Sequence, residues 1–217
     1  MNVYLIPGLG GDKRMYTGQL SEFPQTKVLE FIEPLKGETI SNYAFRLAEG
    51  IDKNYPFILV GVSLGGIIAQ EIAVRYPPKK TIIISSVKST SELPLWMRMF
   101  KYIPIPTLIP GKLYLWMFMW FMWFKTLGSK RNHITANLKN MAKDANPKFV
   151  YWAVNQLVKW DNPIIEFKAY HIHGGSDYLF PCFRIKNLNL RIKGGTHVMI
   201  LTHVRKINKA LSKELHS

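Results

Sequence analysis

Cysteine is nearly absent: Cys182 is the only one in 217 residues. A lone thiol excludes an internal disulfide, and with it disulfide-stapled scaffolds and cysteine-rich zinc sites. Acidic residues are scarce as well. Fourteen Asp and Glu stand against 29 Lys and Arg, a net charge of +15. Such a balance suits nucleic acid, an anionic membrane surface or an acidic carrier protein. The charges are scattered and no nucleic-acid motif is visible, so a generally basic surface accounts for them and nucleic acid is not an expected partner. The most apolar stretch, Leu113 to Phe124, has 12 residues. A spanning helix needs about 20. The N-terminus, Met1-Asn2-Val3-Tyr4-Leu5-Ile6-Pro7, lacks the basic and apolar regions of a signal peptide and reads as a strand, so a cytoplasmic protein is expected. Internal repeats and low-complexity segments are also missing.

What is present suits one globular domain with a sizeable core: 47% of residues are apolar and 20% charged. Strands are expected at Asn2 to Ile6, Lys27 to Ile32, Phe57 to Val62, Thr81 to Ser85, Ala169 to His173 and Leu188 to Ile192. Helical spacing appears over Ser41 to Ile51, with Ser41 or Thr39 as N-cap, and after Gly65 up to Pro77-Pro78. A final helix carries Val204, Ile207 and Leu211 on one face. Strands alternating with helices point to an α/β fold, a mostly parallel sheet of about six strands with helices on both faces.

Between Val87 and Phe167 the alternation is lost. Four prolines fall between Leu93 and Pro110, and two helices are expected at Asn132 to Ala142 and Pro147 to Trp160. The chain therefore divides into a core, residues 1–86 and 168–217, and a helical cap or lid insert, residues 87–167. Leu113 to Phe124 has three readings: core of the cap, an apolar wall over a site with Trp116, Phe118 and Trp120 touching substrate, or contact with a membrane surface.

The chain is organised around Gly61-Val62-Ser63-Leu64-Gly65. An apolar strand precedes it and a helix follows, the context in which G-x-S-x-G means a nucleophile elbow. A tight strand-to-helix turn strains the serine backbone and crowds its neighbours, which is why glycine flanks it. The first N–H groups of the helix then point at whatever Ser63 attacks. Pro7-Gly8-Leu9-Gly10-Gly11, directly after the first strand, brings further N–H groups close to an anion. It lacks the Lys-Ser/Thr of a P-loop, and its glycine spacing is not that of a dinucleotide site. With a serine nucleophile, the N–H of Leu9 would supply one oxyanion donor and that of Leu64 another.

A serine hydroxyl needs a base, most often a histidine held by a carboxylate. Six histidines compete. His133 lies in the cap, His216 at the C-terminus and His203 inside the final helix. His171 and His173 alternate on a strand and read as buried structural residues. His197 alone follows a strand and a Gly-Gly turn and precedes a helix. Asp177 follows the fifth strand in Gly174-Gly175-Ser176-Asp177, with Asp161 and Glu166 as fallback acids. The order Ser63, Asp177, His197 is the one expected of this architecture.

On these residues the chain resembles the α/β-hydrolase superfamily. Pro7 to Gly11 is similar to the oxyanion loop, Gly61 to Gly65 to the elbow, Gly174 to Asp177 with Pro181 to the acid loop, and Gly195-Thr196-His197 to the histidine loop. The usual His-Gly start of the oxyanion loop is Pro7-Gly8 here. The chain opens on what is usually the third strand. The resemblance implies an ester hydrolase working through an acyl-enzyme, with Ser63 as nucleophile, His197 as base, Asp177 orienting it, and no cofactor or metal. Its substrate would be a small-molecule ester, or an ester on a carrier protein. A non-catalytic ligand receptor remains the alternative.

Overall fold

The computed structural model describes residues 1–102, 109–122, 132–161 and 168–216. Six strands form one sheet: β1 (Asn2–Ile6), β2 (Lys27–Val28), β3 (Phe57–Val62), β4 (Lys80–Ile84), β5 (Tyr170–Gly174) and β6 (Leu190–Ile192). Their order is β2-β1-β3-β4-β5-β6, and every neighbouring pair is parallel. The strand order reverses between β1 and β3, which pair with Ile6 opposite Gly61. A crevice opens at the carboxyl ends of strands where such a reversal occurs. The glycine-rich loop after β1 and the turn after β3 both face it.

The four central strands, β1, β3, β4 and β5, are buried on both faces, as the middle of a parallel sheet requires. Val3, Leu5, Ile58, Val60 and Val62 point to one side, into a core shared with Tyr16, Met199, Ile207 and Leu211. Tyr4, Ile6, Phe57 and Leu59 point to the other, against Tyr43, Leu47, Ile67, Ile68 and Ile72. This period of two is what an extended backbone imposes. The first side is covered by α1 (Thr17–Glu22), α8 (Met199–Thr202) and α9 (Val204–Leu215), the second by α2 (Ile40–Leu47) and α3 (Leu64–Arg75). Every residue of α3 from Leu64 to Ala73 is buried, because α3 is sandwiched between the sheet and α2. Among the described residues between β4 and β5 lie four more helices: α4 (Leu95–Met99), α5 (Gly111–Met122), α6 (Asn132–Asp144) and α7 (Pro147–Lys159). α5 packs on α7. Two indole N–H groups fasten α7 and its end to the rest of the chain: Trp152 donates to the Glu38 carbonyl just ahead of α2 (2.8 Å) and Trp160 to the buried Glu71 carboxylate on α3 (2.7 Å).

Several expected boundaries move, β4 and β5 by one residue each, and others for causes visible in the structure. β2 stops at Val28 rather than Ile32. The Tyr43 hydroxyl accepts from the Ile32 N–H and donates to the Ile32 carbonyl, both at 3.0 Å, so a side chain replaces ladder partners there. β6 starts at Leu190 rather than Leu188, because the Asn189 side chain takes the His171 N–H (2.8 Å) and Asn187 sits at φ 47°. Thr39, not Ser41, caps α2, accepting from Asn42 N–H at 3.2 Å, and regular α-helix ends at Leu47. The final helix is two helices, and His203 lies between them, its ring 2.8 Å from Thr202 Oγ1.

Candidate active site

β3 delivers the chain into Ser63, whose backbone is held at φ 53° and ψ −118°. A serine in this region is strained by roughly 1–3 kcal/mol and needs neighbours that over-determine it. Here they do. The Ser63 N–H donates to the Ile84 carbonyl (3.0 Å), and its carbonyl accepts from Gly66 N–H (2.9 Å) and Ser86 Oγ (2.7 Å). The two flanking glycines are required by backbone, not by flexible side chains. A Cβ on Gly61 would lie 2.2 Å from the Gly65 carbonyl oxygen, and one on Gly65 would lie 2.1 Å from that of Ile6.

Asp177 lies in the loop after β5, and His197 in the loop after β6. The loops are cross-linked: Ser176 N–H donates to the Gly195 carbonyl (2.8 Å), and Gly175 N–H to the Ile192 carbonyl (2.9 Å). Asp177 Oδ1 accepts the N–H groups of Leu179 and Phe180, each at 2.9 Å. Its other oxygen, Oδ2, stands 2.9 Å from His197 Nδ1, and His197 Nε2 stands 2.9 Å from Ser63 Oγ. The Phe180 ring meets the His197 ring edge-on, with centroids 5.2 Å apart. Burial pushes the Asp177 carboxyl up, but the His197 ring and the hydrogen bonds outweigh it and hold the carboxyl below the usual carboxylate range. An ionised Asp177 only accepts, so His197 Nδ1 carries the proton and the Nε2 lone pair faces the serine hydroxyl. The arrangement can pass a proton from Ser63 Oγ to His197 Nε2 while Asp177 stabilises the imidazolium.

Behind Asp177 stand His171 and His173, both fully buried. His173 Nε2 is 2.8 Å from the Phe180 carbonyl and so must donate to it, which leaves Nδ1 to accept from His171 Nε2 at 3.3 Å. Burial, then the facing ring, drives the His171 pKa down to about 2, and burial also lowers that of His173. Both rings are neutral at pH 7.

Ser63 and His197 open into a cavity of about 350 Å³. Leu9 and Leu64 line it beside them, so the two expected oxyanion donors border the same space as the serine. Among the described residues lining it, no side chain is charged; apart from the Trp96 indole, only Ser63 and His197 carry polar side chains. Trp116 and Trp120 do not line it and are 64% and 56% exposed, contrary to the wall expected of them. Met117, between them on α5, does line it, with Trp96, Met97 and Phe100 from α4 and its end. A helix that is apolar all round offers no period from which to choose its inward face, and Met117, on the same stripe as Trp116 and Trp120, is the one of the three that reaches the cavity. The Phe118 and His133 side chains and Glu166 lie outside the described residues. Asp161, the other fallback acid, is exposed and pairs with Lys101 at 3.4 Å. Ser86 and Phe180, which brace Ser63 and His197, belong to no motif in the sequence. Position at the carboxyl ends of β4 and β5 was the available signal.

No protein-family model matches the sequence, and no curated protein matches it. Solved structures do. A hydrolase from Pseudomonas aeruginosa PA01 is 13% identical with a TM-score of 0.77, covering 100% of this chain and 90% of the other. MenH from S. aureus is 14% identical with a TM-score of 0.77, covering 100% and 93%. A thermophilic esterase from Thermogutta terrifontis is 17% identical with a TM-score of 0.71, covering 100% and 89%. Likeness over whole chains at such low identity is likeness of architecture, and with the six-stranded parallel sheet and its serine elbow it establishes that this chain has the α/β-hydrolase fold.

Proposed function

We propose that this chain is a serine hydrolase that cleaves carboxylic esters carrying a small or medium apolar acyl group. The observation that carries the reading is the hydrogen-bonded series Ser63, His197, Asp177 at the floor of an apolar cavity. His197 Nε2 takes the hydroxyl proton as Ser63 Oγ bonds to the acyl carbon. The carbonyl π pair moves onto its oxygen, where the N–H groups of Leu64 and Leu9 meet the charge. The N–H of Leu64 belongs to the first turn of α3, whose donors a helix leaves for outside acceptors. Losing one such donor costs about 10²–10³ in rate. The tetrahedral centre collapses, His197 gives its proton to the leaving alcohol, and an acyl-enzyme remains. Water attacks it with His197 again as base, and the acid departs from Ser63.

The cavity argues for the acyl class. A charged acyl group would sit there unpaired, at a cost of several kcal/mol. The helices of residues 87–167 act in this reading as a cap over the core of residues 1–86 and 168–217, and α4 and α5 size the acyl site.

Hydrolysis of p-nitrophenyl esters of increasing acyl length tests the reading. Wild type turns them over with a length optimum, and Ser63→Ala loses about 10⁴-fold or more in kcat while remaining folded. Turnover that survives in Ser63→Ala, or a folded wild type inactive at every length, refutes it.

A further inference from the structure

The stretch from Leu93 to Lys143 contains eight Lys and Arg and no Asp or Glu, against a net charge of +15 for the whole chain. Among the described residues, the same stretch exposes most of the large apolar side chains that face solvent. On α5, Leu113, Trp116, Met117 and Trp120 are between 43% and 64% exposed. Their spacing is i, i+3, i+4, i+7, one continuous helical stripe. A helix of a water-soluble protein turns such a stripe inward. Here it faces out. Leu95, Trp96 and Met99 on α4 are at least half exposed, and Tyr102 just beyond is 83% exposed. Trp96 and Met117 are both exposed and part of the cavity lining, so the two stripes meet at the cavity mouth.

We propose that this face docks on an anionic lipid surface, with the cavity mouth turned toward the acyl chains. The chemistry selects the occupant. Trp and Tyr favour the boundary between headgroups and acyl chains, while Leu and Met enter the apolar layer. Arg98, Lys101 and Lys112 are exposed beside the stripes and meet the headgroup phosphates. The 3.4 Å pair of Lys101 with exposed Asp161 is too weak in water to hold that lysine back. An acidic carrier protein would match the charge but leave Leu95, Met99, Leu113 and Trp116 in water. A second copy would set like charges against like. No helix among the described residues is long and apolar enough to cross the bilayer, so the contact lies in the surface plane. The inference goes beyond ester hydrolysis and stands apart from it, since binding is measured equally on the Ser63→Ala protein.

Flotation with phosphatidylglycerol vesicles, beside phosphatidylcholine vesicles, tests it. Wild type and Ser63→Ala both float with the anionic vesicles, at least tenfold more than with the neutral ones, and added salt weakens the contact. The Leu95→Glu, Leu113→Glu double variant changes exposed residues outside the cavity lining. It loses more than about tenfold in vesicle partitioning with its thermal midpoint kept. Arg98→Gln with Lys101→Gln, which leaves the apolar stripe intact, loses about tenfold or more on anionic vesicles alone. No flotation, equal flotation with both lipids, or unchanged flotation of both variants overturns the proposal. So does retention on an acidic carrier protein without flotation, or a wild-type dimer that Leu95→Glu, Leu113→Glu dissociates.

Discussion

The buried histidine pair behind Asp177 makes stability fall as pH drops below 6.5. His171 is fully buried, its ring set against that of His173. Its pKa is about 2 in the folded protein. In the unfolded chain it is about 6.5. The folded value is the lower one, so below pH 6.5 the unfolded state binds a proton that the folded state refuses. The stabilising contribution of a neutral His171 is whole above pH 6.5 and is lost as pH falls from there toward 2. The loss is about 1.4 kcal/mol per pH unit. Between pH 7 and pH 5 it integrates to about 2 kcal/mol, a large share of the 5–15 kcal/mol that holds a typical domain folded. Asp177 is silent in that window, because its carboxyl titrates lower still. His171→Gln keeps a donor toward His173 Nδ1 but cannot titrate. Urea unfolding at pH 7, 6 and 5 on both proteins reads the term as a difference, in which titrating groups away from the pair cancel. Wild type should lose about 2 kcal/mol more than His171→Gln between pH 7 and 5. Equal losses in the two proteins would refute the reasoning, whatever their absolute stabilities.

Two further substitutions probe the site's construction. Asp177→Asn replaces an acceptor by an amide that cannot hold the proton on His197 Nδ1; kcat on a p-nitrophenyl ester should fall about 10³–10⁴-fold with the far-ultraviolet circular dichroism unchanged, and a loss of less than tenfold contradicts the role of Asp177. Gly65→Ala drives a Cβ to within 2.1 Å of the Ile6 carbonyl oxygen and 2.4 Å of that of Pro7. Neither backbone can retreat without breaking the β1–β3 pairing, so the cost should be about 3 kcal/mol or more, and a thermal midpoint lowered by less than about 3 °C would show that the elbow is not so tightly built.

The parts of this molecule legible in the sequence are those whose causes are local. β1 and β3 could be read to the residue because an apolar run ends at a glycine turn, and the turn needs glycine for reasons within five residues. Ser63, Asp177 and His197 could be singled out because each follows a strand in a parallel sheet, and such strands end on one edge. Where the cause is distant the reading drifted. β2 stops early because Tyr43, on the next helix, satisfies the Ile32 backbone. β6 starts late because the Asn189 side chain occupies the N–H of His171 on the neighbouring strand. The orientation of α5 is the sharpest case. Hydrophobic period normally tells which face of a helix meets the core, since the polar face must meet water. From Leu113 to Met122 every residue is apolar or aromatic, so that rule has no contrast to work on. The orientation is then set by α7, on which α5 packs, and by the cavity, which claims Met117. The same lack of contrast lets the stripe of Leu113, Trp116, Met117 and Trp120 stand exposed, with Met117 at the cavity rim. Exposed tryptophans at positions 116 and 120 are what the proposed lipid contact would use on the outer face of α5.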